Sequence, residues 1–97
     1  MNLALPPEIL KSLQQEYVSS FPEKAKELKE AYFKRDIGAL KSLLHKLAGS
    51  GKTYSFDDLS AAARAGELYL IEQCRIDDAF SRYIKQVLQI FEQAAHR

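Results

Sequence analysis

The run Leu44-His45-Lys46-Leu47-Ala48-Gly49-Ser50-Gly51 places a histidine late in an amphipathic helical stretch. An imidazole accepts a phosphoryl group through a neutral ring nitrogen, so such a histidine must reach solvent and resist protonation. Helical spacing meets the first condition. Ile37, Leu40, Leu43, Leu44 and Leu47 make the apolar stripe, and His45 falls beside it rather than within it. Lys41, Ala48, Gly49 and Lys52 surround the ring at offsets of four, three, four and seven residues. The two lysines serve the second condition, because a nearby ammonium disfavours imidazolium and attracts phosphoryl oxygens once they arrive. Gly49, one turn on, removes the side chain that would obstruct in-line approach of a second protein. That is a physical reason for a mid-helix glycine, which otherwise costs ~1 kcal/mol relative to alanine.

Rival motifs carry less. Gly51-Lys52-Thr53 imitates the end of a phosphate-binding loop, but the earlier glycine position is Lys46 and a helix, not a strand, precedes it. Asp57, Asp58, Glu8 and Glu23 lie near helix starts, where carboxylates favour the macrodipole, and no His/Asp/Glu spacing builds a metal cage. No metal or cofactor site is expected. His96, beside the chain end, reads as a frayed terminus, and the lone Cys74 as a small hydrophobe at a helix end. Gly51 on its own reads as a helix end. On spacing alone, a lone histidine at a helix edge is more often a solvated or capping residue.

The elements that must position His45 are helices throughout. Pro6-Pro7 opens a first helix carrying Ile9, Leu10, Leu13 and Tyr17. Ser20 is the N-cap of a second, with Pro22 and Glu23 in its first turn and Ala25, Leu28, Ala31 and Tyr32 on its buried side. Asp36 caps the third, which carries His45 and is expected to end at Gly49-Ser50-Gly51. Ser55 or Asp57 starts a fourth through Leu59, Ala62, Ala63, Gly66, Leu70 and Ile71, and Asp77 or Asp78 a fifth through Phe80, Tyr83, Ile84, Val87, Leu88 and Phe91. Short connections predict an all-α, up-down antiparallel four-helix bundle with the short first helix as a lid. Ala61-Ala62-Ala63 and Ala65-Gly66 would let the fourth helix pack closely on the third and leave the imidazole on a shallow shelf, suited to a protein partner. Most of the aromatic residues, Phe33 among them, read as core.

At 97 residues the chain reads as one domain, 1–97, too small to hold a nucleotide-binding kinase domain as well. A formal net charge of +1 without a basic stripe argues against nucleic-acid binding. No stretch approaches the ~20 apolar residues of a membrane span and the first residues lack signal-peptide features, so no membrane association and a cytoplasmic location are expected.

The segment from Leu44 to Leu59 resembles the signature of histidine-containing phosphotransfer (HPt) domains of multistep phosphorelays. His45, Leu47, Ala48, Gly49 and Ser50, then the turn Tyr54-Ser55-Phe56 and Leu59, follow that pattern. Ala48 stands where lysine is frequent, and Ser55 where the turn usually has glycine. The resemblance implies a monomeric phosphohistidine carrier without autokinase activity. It would take a phosphoryl group from a receiver-domain aspartate onto the His45 ring nitrogen remote from the backbone and pass it to another receiver. The partners implied are receiver domains of response regulators or hybrid sensor kinases, which would bring the Mg²⁺ of that chemistry. They would dock over the exposed faces of the third and fourth helices, with Gly38, Ser42 and Lys46 in contact. Either Lys41 or Lys52 would stand in for the lysine absent at Ala48. The alternative is a helical adaptor that binds a signalling partner through the same face without phosphorylation.

Overall fold

Proline opens two helices and aspartate caps two others. In the computed structural model, which describes residues 5–96, α1 (Pro7–Ser19) and α2 (Phe21–Phe33) each carry proline at their first or second position. The Asp36 carboxylate accepts from the Ala39 N–H at 3.0 Å to start α3 (Ile37–Thr53). After α4 (Asp57–Gln73), Asp77 accepts from the Phe80 N–H at 2.9 Å to start α5 (Asp78–Ala95). The Asp77 carboxylate also receives the Tyr69 hydroxyl and the Arg75 guanidinium. These donors, Tyr69 foremost, hold its carboxyl below the usual carboxylate range.

The fold is all-α, and α2 to α5 form an antiparallel ring of neighbours. Phe21 meets Phe91 at a 4.5 Å centroid distance and Tyr32 meets Phe80 at 6.4 Å, which fixes α2 against α5. Tyr69 packs on Phe80 and Tyr83 to join α4 to α5. Across the opposite end, Tyr17 of α1 stacks on Tyr54 at 4.6 Å and meets Phe21 edge-on, while Gln14 donates to the Tyr54 carbonyl. Helix α1 thus closes the end where α3 turns into α4. No described helix is long and apolar enough to cross a membrane.

The α3–α4 pair has the most intimate packing, and two glycines allow it. A Cβ on Gly51 would lie 3.1 Å from the Ser60 nitrogen and 3.3 Å from the Phe56 carbonyl oxygen, both immovable backbone atoms. A Cβ on Gly66 would meet Leu44 Cδ1 and Tyr83 Cβ at 3.2 Å. Ala62 and Ala63 are buried in the same seam. Leu44 and Leu47, 0% and 4% exposed, lie directly under the helix face that carries His45. Replacing either by alanine is expected to cost about 2–5 kcal/mol in urea unfolding, since the seam cannot collapse around the lost volume. A loss near zero would place that face elsewhere.

Several sequence expectations are corrected. Helix α3 does not stop at Gly49-Ser50-Gly51 but runs to Thr53, with Gly51 serving the close helix crossing rather than a helix end. Tyr17 and Ser50 share a hydroxyl hydrogen bond and Thr53 Oγ1 donates to the Gly49 carbonyl, so both tertiary and local contacts hold the extra turn. Of the two expected starts for α4, Asp57 is the one observed, since Ser55 takes the left-handed conformation at φ 63°. Ser20 occupies the N-cap position of α2, but its hydroxyl donates back to the Tyr17 carbonyl instead of capping. Cys74 is exposed because it is the left-handed residue ending α4, at φ 52°. Ile9 and Ile71 fall on outer faces, and Phe33, the last residue of α2, is 87% exposed beside Lys26 and Lys29.

Candidate functional site

His45 stands on α3 one position past the buried Leu44, which turns its ring out of the core, and its side chain is 71% exposed. Among the described residues, one ring atom has a hydrogen-bond partner. Nδ1 lies 2.9 Å from Oε2 of Glu67, whose side chain is 11% exposed in the seam with α4. A carboxylate only accepts hydrogen bonds, so a neutral ring paired with it carries its hydrogen on Nδ1 and keeps the Nε2 lone pair free. Glu67 thereby sets both the tautomer and the ring orientation of an otherwise solvent-exposed imidazole. The arrangement suits a nucleophilic nitrogen aimed at a second molecule.

An open depression surrounds the ring, lined by His45, Ala48, Gly49, Lys52, Ser60 and Arg64. Four of these are residues that the sequence brings forward, and α3 gathers them on one face. Among the described residues, no atom outside its own stretch of helix lies within 4 Å of where a Gly49 Cβ would sit, so none of them requires glycine there. Ala48 is buried under the depression, and its carbonyl receives the Ser60 hydroxyl at 2.7 Å. Lys41 is half-buried one turn before His45 and does not line the depression. Ser42 and Lys46 lie on the other flank of α3, lining grooves shared with α2, while Gly38 is exposed in the first turn. The six-residue depression therefore excludes Lys41, Ser42, Lys46 and Gly38.

Glu67, Arg64 and Ser60 are functional candidates that sequence reasoning passed over. The signal was present as a polar line through an alanine-rich helix, because Ser60, Arg64 and Glu67 follow at intervals of four and three. The expected small-residue seam explains why α4 approaches so closely, and that approach is what brings the polar line to His45. Carboxylate, hydroxyl and guanidinium arrive from α4, and imidazole and ammonium from α3. Among the described residues, Lys52 and Arg64 enter no ion pair, so both cations are free to meet an incoming anion. No three His, Cys, Asp or Glu side chains converge as metal ligands among the described residues.

No curated protein and no solved structure matches the chain. The Hpt domain family matches residues 12–96, which takes in every residue of the depression and all of α2 to α5, and the chain belongs to that family.

Proposed function

We propose that His45 is the residue through which this chain carries a phosphoryl group between receiver domains. Membership of the Hpt family makes the chain a histidine phosphotransfer module of phosphorelays, a carrier in kind rather than a kinase. The observation that carries the assignment to His45 is its hydrogen bond to Glu67, which leaves Nε2 free on an exposed ring. In the step proposed, the Nε2 lone pair attacks the phosphorus of a receiver's aspartyl phosphate. The Nε2–P bond forms as the P–O bond breaks, and the electron pair departs on the receiver's carboxylate. The Nδ1 hydrogen stays in place, so the ring takes on positive charge beside the Glu67 carboxylate. Reversal toward a second receiver's carboxylate returns the ring to its starting tautomer.

The test is incubation of the chain with a phosphorylated receiver domain. Phosphate that is labile in acid, stable in alkali and confined to the peptide containing His45 supports the carrier. A stable complex without phosphate transfer would instead make the chain an adaptor. Glu67 supplies a second measurement. Glu67→Gln retains a carbonyl acceptor for Nδ1–H but not the charge, and a loss of about tenfold in single-turnover acceptance is expected, deepening in Glu67→Ala. Equal rates in all three proteins would remove Glu67 from the step.

A further inference from the structure

We propose that Arg64 is the residue that grips the phosphoryl oxygens while the group moves on to and off His45, an inference that rests on the carrier reading above. Helices α3 and α4 are tied at two levels, His45 to Glu67 and the Ala48 carbonyl to Ser60. Arg64 lies between Ser60 and Glu67 on α4, about one turn from each, and so between the two ties, and it lines the depression that holds the imidazole. Ala48 ends at Cβ and Gly49 has no side chain, so neither fills the depression that Arg64 lines.

Charge pairing within the chain also leaves Arg64 available. The nearest carboxylate along its helix face is Glu67, three residues on, and that group is engaged by His45. Asp57, Asp58 and Glu72 also lie on α4, yet Arg64 forms no ion pair among the described residues. A guanidinium offers a planar fork of N–H donors that matches two oxygens of one phosphoryl group, whereas the Lys52 ammonium is a point charge on a flexible stem. During transfer the phosphorus exchanges a P–O bond for an N–P bond, while its three remaining oxygens keep their negative charge throughout. Arg64 acts on those oxygens, in both directions of transfer, and Lys52 adds to the field around them.

Single-turnover transfer from a phosphorylated receiver, followed over a range of receiver concentrations, separates this role from docking. Arg64→Gln is expected to slow the saturated rate about 10- to 100-fold, less than loss of a preorganised donor costs, because the exposed guanidinium is held by no ion pair among the described residues. The receiver concentration for half-maximal rate should shift by less than about threefold, Arg64→Lys should recover part of the rate, and Lys52→Gln should lose less than Arg64→Gln. Unfolding curves should be unchanged, because the side chain is exposed. A saturated rate for Arg64→Gln within about twofold of wild type, or a loss seen only in the half-maximal concentration, overturns the proposal. His45→Gln run alongside keeps the two ideas apart. Wild-type transfer that vanishes in His45→Gln but persists in Arg64→Gln removes Arg64 alone, whereas a wild-type chain that accepts no phosphate removes the carrier and Arg64 together.

Discussion

His45→Gln is expected to eliminate phosphoryl acceptance while leaving the helical circular dichroism and the thermal midpoint close to those of wild type. The chemistry disappears because an amide has no nucleophilic ring nitrogen. The fold survives because the ring is mostly in solvent, and a glutamine amide N–H can still donate to the Glu67 carboxylate that Nδ1 now occupies. His45→Ala separates these effects. It strips the partner from a largely buried carboxylate, which is expected to cost about 1–3 kcal/mol of stability in addition to the loss of acceptance. Transfer assays on both variants, paired with urea unfolding, decide the matter. Residual labelling of His45→Gln would move the phosphoryl site to another residue.

Gly49→Gln is expected to slow transfer by orders of magnitude while preserving or raising helix stability. Among the described residues, no atom from outside its own stretch of helix lies within 4 Å of where its Cβ would sit, so an added Cβ meets no clash there. Glutamine also has the better helix propensity, by several tenths of a kcal/mol. Any penalty must then arise when a second protein approaches the imidazole one turn away, where an added side chain obstructs the in-line path. Gly49→Ala should fall between the two. Rates from one matched phosphorylated receiver, with unfolding curves for both variants, provide the check; a wild-type rate in Gly49→Gln would sink this docking geometry whatever the fate of His45. Gly51, only two residues on, should behave oppositely, since its missing Cβ faces the Ser60 backbone and its replacement strains the helix crossing itself.

The contrast between these two glycines marks the boundary between what is legible in a linear chain and what is not. Periodicity along one helix is local, so the stripe of Leu40, Leu44 and Leu47, and His45 just outside it, could be read directly. The same held for the capping Asp36, for a start of α5 at Asp77 or Asp78, for the small residues of α4 and for the order of the helices, because caps and short connections act within a few residues. The motif around His45 likewise carried the family, since its residues are nearly contiguous.

Partnership across the seam is a different kind of information. Whether Gly51 ended a helix or admitted a neighbouring backbone depended on where Ser60 lay, and local composition favoured the wrong answer. Lys41 and Lys52 both fall on the His45 side of α3 by spacing, yet of the two only Lys52 lines the depression, and α4 brings in Arg64 from the other side. Glu67 sits 22 residues from His45, and its spacing gives no indication of that contact. The sequence by itself determined the family, the helix face that carries His45 and the class of fold. Only the antiparallel register of α3 against α4, set by close packing at Gly51 and Gly66, decided which carboxylate orients the ring and which cations surround it.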